Sequence, residues 1–322
     1  MIPWIDKLNA TDFVTDKLPY TEGKYYHLFE EKLFKTGDSK VGDIRYYVYD
    51  PTKHGYPADA TYPVILSFHG SSASLHGITA INWSGAEYFA SPEYQEKMGG
   101  AYIICPLANE YMDNGEVLMS WMTPEEGAPE SKDYPDELIQ DLKSNLGDGA
   151  QRLSRLLGTN SIYTKYLKQL YDSEVSAFTS AGKTIVWGTS AGGFCAWRYA
   201  ITYAVDAALI MAPAYLPSAK ELDILEKRNT KILLCHGKND ELVPYEFAVA
   251  PILDRLKTMK NVELFLPELV RMPDYGVYSN PAGVEMGQHC INNAVQCNLM
   301  FDDGKPMDEG HPRGITGWIK EI

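Results

Sequence analysis

The chain contains no apolar run approaching the roughly 18 residues that a membrane-spanning helix requires. Its opening, MIPWIDKLNATDF, carries acid early and has no uninterrupted apolar segment of the signal-peptide kind. Neither a membrane span nor a secretory leader is expected, and a cytoplasmic location follows as the expectation. The sequons Asn9-Ala10-Thr11 and Asn82-Trp83-Ser84 carry no meaning without secretion. Basic charge is also short: 29 Lys and Arg stand against 43 Asp and Glu, for a formal net charge of −14, and no Lys/Arg stripe occurs. A phosphate backbone or an anionic membrane surface would be repelled, so neither nucleic acid nor membrane is an expected partner. Cysteine is sparse and odd in number, five residues at 105, 195, 235, 290 and 297. Three of them lie in apolar segments, as reduced thiols used as small hydrophobes do. Cys290 and Cys297 lack the CxxC spacing of a zinc site, so no metal is expected. Internal repeats and low-complexity tracts are missing as well.

What is present is enough apolar residue, 45% of 322, to bury a sizeable core, and a single domain over 1–322 is expected. IRYYVYDP (44–51) alternates as a half-buried strand does. YPVILSFHG (62–70) is a short apolar run ending at Gly, the form of a parallel strand covered on both faces. The same form recurs at 101–107, 183–188, 206–214, 231–237 and 261–268, with helical patterns between, for example at 194–204 and 245–259. This alternation predicts an α/β fold with a mostly parallel central sheet flanked by helices. The interval from the strand ending near Pro106 to the one beginning at Thr184 is longer than a crossover needs. Its first part is acidic, rich in Pro and Gly and irregular, and residues 136–180 read as two or three helices. Two readings of 108–180 stand open: crossover helices with a solvated loop, or an insert whose first part forms a cap or pocket wall over a site.

The sharpest motif is KTIVWGTSAGGFCAW (183–197), in which Gly188-Thr189-Ser190-Ala191-Gly192 joins a strand to a helix. A serine hydroxyl becomes a nucleophile only when a base takes its proton and donors stabilise the resulting oxyanion. In Gly-x-Ser-x-Gly the glycines let a sharp turn lie against neighbouring chain, and the following helix aims its N-terminal N–H groups at the serine. A second feature, LSFHGSSASLHG, follows the strand 63–68 with a loop of small residues. That loop can turn the Ser71 N–H toward an oxyanion, with the Ala191 N–H as the other donor. In a third, KILLCHGKNDELVP, Asp240 stands just past the end of an apolar strand, where open α/β sheets carry functional side chains. Its neighbours Asn239 and Glu241 suit that role less well.

Together these residues resemble the α/β-hydrolase superfamily, on the side that includes esterases and prolyl-oligopeptidase-like serine hydrolases. The resemblance rests on His69-Gly70, on Gly188-Thr189-Ser190-Ala191-Gly192 and on His236-Gly237-Lys238-Asn239-Asp240 with Val243-Pro244, and covers roughly residues 40–300. It implies a triad in the order Ser, Asp, His, while the length of the interval before Thr184 is what predicts an insertion between the fourth strand and the nucleophile strand. Of the seven histidines only His289 and His311 follow Asp240. The family's placement of the base after the last strand and ahead of the last helix favours His289 over His311. His69 and His236 are expected to shape their loops through hydrogen bonds. The acidic segment 301–311 lacks the ligand pattern of an EF-hand and reads as a solvated turn.

The expected activity is hydrolysis of a small-molecule carboxylic ester through an acyl-enzyme: Ser190 as nucleophile, Asp240 as acid, His289 as base, Ser71 and Ala191 in the oxyanion hole, and no cofactor. A peptidase or amidase with the same triad and a non-catalytic ligand-binding protein on the same fold are the alternatives. The 22 tyrosines and the Trp121-Met122 pair fit an aromatic-lined pocket or a Tyr-rich surface equally well. Neither the physiological substrate nor the oligomeric state is written in the sequence.

Overall fold

The apolar runs assemble into one sheet because each is covered on both faces and can satisfy its main-chain groups only by pairing with another. A computed structural model describes residues 13–14, 23–126, 133–145, 157–272, 276–278, 288–296 and 314–322. His311, Cys297, the sequon at Asn9 and the acidic segment 301–311 lie outside the described residues. The sheet strands are β1 (Glu30–Phe34), β2 (Ile44–Tyr49), β3 (Tyr62–Phe68), β4 (Tyr102–Pro106), β5 (Ala181–Thr189), β6 (Ala207–Met211), β7 (Lys231–Cys235) and β8 (Val262–Phe265). They lie in the spatial order β1-β2-β4-β3-β5-β6-β7-β8. Only β2 runs against its neighbours; every other pairing in the sheet is parallel. Because Leu66 pairs with Val186 and Gly188 with Ile210, the carboxyl ends of the central strands are level and their loops gather at one edge.

The alternation of side chains along each strand divides the core in two. Val64, Leu66, Val186, Ile210 and Leu234 face helices α1 (Thr164–Val175), α2 (Ala191–Thr202) and α3 (Ala219–Lys227) through Leu167, Phe194, Trp197 and Leu222. Ile65, Ile103, Trp187, Leu209 and Leu233 face the other way, toward the helix Pro92–Met98 and helices α4 (Ile291–Gln296) and α5 (Gly314–Lys320). Cys105, Cys195 and Cys235 are buried in these layers with free thiols. Among the described residues no helix is long and apolar enough to cross a membrane.

One strand joins those expected, and other local expectations are corrected. β1 reads EEKLF, mostly exposed, and forms the antiparallel edge of the sheet on β2. The pattern over 245–259 is not one helix: it breaks into Tyr245–Ala248, a 3-10 turn Ala250–Ile252 and Leu253–Thr258. Pro251 lacks an N–H and its ring collides with the preceding turn of a continuous helix. The segment read as irregular holds a two-stranded hairpin, Tyr111–Asp113 with Glu116–Leu118. Its turn places Asn114 and Gly115 at positive φ, 48° and 82°, the pair that a tight hairpin turn favours.

A buried polar network fastens the described parts of 133–160 to the sheet's helices. Arg198 on α2 pairs with Glu221 on α3, donates to Tyr215 Oη at 2.8 Å, and donates from Nε and Nη2 to Asn160 Oδ1 at 3.1 and 2.8 Å. Gly158 N donates to Tyr215 Oη at 3.1 Å, and Tyr134 Oη donates to the Leu216 carbonyl. Trp121 is fully buried against Phe68, His69 and Tyr163, and many of the tyrosines are core residues, so neither the aromatic pocket nor the Tyr-rich surface accounts for them.

Candidate active site

Ser190 occupies the sharp turn between β5 and α2. Its φ of 58° and ψ of −117° lie outside the regions that a side chain with a Cβ adopts without cost. The surrounding chain holds it there: Ser190 N donates to the Met211 carbonyl, and Phe194 N and Ala214 N both donate to the Ser190 carbonyl, each at 3.0 Å. The flanking glycines are required by close approach. A Cβ on Gly188 would stand 2.0 Å from the Gly192 carbonyl oxygen, and one on Gly192 would stand 2.2 Å from that of Phe68. Helix α2 therefore begins flush against the ends of β3 and β5. Among the described residues the Ser190 hydroxyl makes no hydrogen bond, a common state for a free site whose contacts tighten on substrate.

The loop after β3 runs beside this turn, since a Cβ on Gly70 would lie 3.9 Å from that of Ser190. Its order comes from two buried groups. His69 Nε2 accepts from Ala108 N at 3.0 Å, which leaves the proton on Nδ1, and Nδ1 donates to the Gly70 carbonyl at 2.6 Å. Burial holds the His69 ring below the ordinary histidine value, in keeping with this neutral tautomer. The Glu110 carboxylate accepts from Ser72 N at 3.1 Å, Ser74 N at 3.3 Å and Ser74 Oγ at 2.7 Å. With Ala73 N donating to the Gly70 carbonyl, the Ser71 N–H is left unengaged among the described residues. The Ala191 N–H, at the first position of α2, has no helical partner for geometric reasons.

Asp240 and His289, 49 positions apart in sequence, are hydrogen-bonded. His289 Nδ1 donates to Asp240 at 2.9 Å (Oδ1) and 2.8 Å (Oδ2). A carboxylate accepts only, so Nδ1 bears the proton and Nε2 is the free acceptor. Asp240 Oδ1 also accepts from Leu242 N and Val243 N at 2.9 and 2.8 Å. Its side chain is fully buried and that of His289 is 6% exposed. Burial drives the Asp240 carboxyl upward, but His289 and these donors outweigh it and hold the group below the ordinary aspartate value. Burial likewise opposes charge on His289, yet the facing Asp240 carboxylate raises its pKa above the ordinary 6.5. His236 bonds the Val243 carbonyl through Nε2 at 3.0 Å and so braces the acid loop from inside.

Three contributors were missed from sequence. Glu110 orders the loop after β3. Glu241 accepts from Gln288 N at 3.0 Å and His289 N at 2.8 Å. Gln288 exchanges side-chain bonds with the Val270 main chain, accepting at 2.6 Å and donating at 3.3 Å. A cleft of about 560 Å3 is lined by Lys40, Val41, Met119, Thr123, Ile162 and Lys165, and none of Ser71, Ser190, Asp240 or His289 stands in its wall. Asn109 follows Ala108 in the chain and donates to the Val41 carbonyl at 2.6 Å.

Compared with known proteins, residues 158–265 match the model of the phospholipase/carboxylesterase family. Among solved structures the chain is similar to a thermostable esterase, with 15% identity and a TM-score of 0.56 over 84% of this chain and 60% of that one. The chain thus spans about 60% of that esterase's length. It is also similar to a ferulic acid esterase, with 10% identity and a TM-score of 0.50 over 85% of this chain and 96% of that one. No curated protein matches it in sequence. At these identities the likeness establishes the α/β-hydrolase fold.

Proposed function

We propose that this chain, a member of the α/β-hydrolase superfamily, is a serine hydrolase that cleaves a small-molecule carboxylic ester through an acyl-enzyme. The observation that carries the reading is the buried Asp240–His289 hydrogen bond, in a chain whose Ser190 sits strained at a helix N-terminus on the same edge of the sheet. The tautomer that this bond imposes leaves His289 Nε2 as the acceptor for the Ser190 proton. Ser190 Oγ attacks the acyl carbon, and the carbonyl oxygen becomes an oxyanion held by the Ser71 and Ala191 N–H groups. His289 then gives its proton to the departing alcohol. In the second half water attacks the acyl-enzyme with His289 again as base, and Ser190 recovers its proton as the acid leaves. Asp240 keeps the ring oriented and favours its charged form without taking the proton.

The two engaged amides of the Ser72–Ser74 segment support Ser71 as the donor, because the loop is ordered before substrate arrives. The test is labelling by a fluorophosphonate together with hydrolysis of a panel of aryl and alkyl esters beside peptide amides. Wild type labels and turns over an ester, and Ser190→Ala does neither, with a loss on the order of 10^6-fold in kcat. Equal labelling of the two proteins sinks the reading.

A further inference from the structure

We propose that Glu241 is a positioning residue: its carboxylate clamps the main chain of Gln288 and His289 and thereby fixes where the free nitrogen of the imidazole points. This rests on the reading of Ser190, Asp240 and His289 as a triad and adds a member outside it. The acid loop grips the histidine twice with adjacent residues. Asp240 holds the ring through Nδ1, and Glu241 holds the backbone that carries the ring, at 3.0 Å to Gln288 N and 2.8 Å to His289 N. A ring bond alone leaves the histidine free to pivot about that bond. The second grip removes the pivot.

The local chemistry explains why a carboxylate stands there. The N–H groups of Gln288 and His289 belong to buried residues, and a buried N–H without an acceptor is costly. One carboxylate satisfies both, and charged acceptors make stronger bonds than neutral ones. Gln288 itself is fully buried and pairs its side chain with Val270, so the peptide before the histidine is fastened from two sides. Gly237 completes the fit, because a Cβ there would stand 2.9 Å from the Gln288 carbonyl oxygen.

The clamp also carries charge. Among the described residues the titratable groups around His289 are Asp240 on Nδ1, Glu241 under its backbone, His236 behind Asp240, whose Nε2 lies 3.6 Å from Asp240 Oδ2, and Cys290, next in the chain. Burial keeps His236 neutral and pushes the Cys290 thiol up to about 12, so the two carboxylates are the charges that the imidazolium meets. Removing one of them makes His289 easier to deprotonate, an effect that a purely structural acid would not produce.

The experiment compares wild type, E241Q, E241A and E241D in the full chain, with S190A as the blank and p-nitrophenyl acetate as the probe. E241Q keeps the volume, loses the charge and presents an amide donor to one N–H. It is expected to lower kcat by about 10- to 100-fold with KM little changed, as misplacement of a base does. E241D restores part of the rate. The midpoint of the acid limb of kcat/KM falls in E241Q, and the His289 ring titration followed by NMR falls with it. Circular dichroism verifies the fold, and where E241A does not fold, E241Q decides. A folded E241Q with wild-type kcat and midpoint overturns the proposal, as does a lowered rate with unmoved midpoint and ring titration. Equal rates for wild type and S190A instead overturn the triad reading itself, so the two failures are told apart.

Discussion

In the proposed mechanism the Asp240–His289 pair sets the pH range in which Ser190 is activated, because only a neutral His289 would accept its proton. The facing carboxylate raises the histidine's pKa above 6.5, so the acid limb is displaced upward. Below that pKa the ring is charged and the rate falls; above it the rate reaches its plateau. A pH profile of kcat/KM on an ester of pH-independent reactivity is expected to show a single acid limb with its midpoint above the ordinary histidine value. Asp240→Asn frees the other tautomer and is expected to cost about 10^4-fold in kcat at the plateau with the fold intact. Ser190 and Asp240 were legible as candidates because each stands in a short motif at the end of a strand, and His289 because it follows Asp240 where the resembling family carries its base. Glu110, Glu241 and Gln288 were not, since what each touches is fixed by the folded path of the chain and not by its sequence neighbours. Glu241 was passed over as a mere neighbour of the acid, yet its carboxylate reaches 48 positions along the chain to His289 N.

Among the elements, the turn from β5 to α2 has the least tolerance for change. A methyl group on Gly192 would meet the Phe68 carbonyl oxygen at 2.2 Å, main chain against main chain, with no flexible side chain to give way. Gly192→Ala is therefore expected to destabilise by about 3 kcal/mol or more, read as a drop in the midpoint of urea unfolding, and to misalign Ser190 even in molecules that fold. The central strands were plain in the sequence because their apolar runs announce burial on both faces. β1 was not: EEKLF has neither an unbroken apolar run nor clean alternation, and it becomes a strand because β2 offers it a partner. The hairpin at 111–118 was likewise hidden, although Asn114-Gly115 was its one local sign. The break at Pro251 was visible in principle, since a proline inside a helical pattern interrupts it.

Across the whole molecule, the Arg198 network joins the helix behind Ser190 to the segment inserted between β4 and β5. Arg198 and Glu221 side chains are only 8% and 11% exposed, so removing one member strands the other in a poorly solvated place. Arg198→Ala is expected to cost about 3–5 kcal/mol. Limited proteolysis is expected to cut within 108–180 sooner than in wild type, because Asn160 and Tyr215 lose their common anchor. At the open margin of the sheet the charge of the chain acquires another meaning. Among the described residues β1 has no partner strand on its outer side, and there it carries Glu30, Glu31 and Lys32, which pair with Lys53, Arg45 and Glu174. An incoming strand from a second copy would have to bury those ionised groups before its main chain could zip on, so the residues that hid β1 from a sequence reader also deny neighbouring molecules a template for fibre growth.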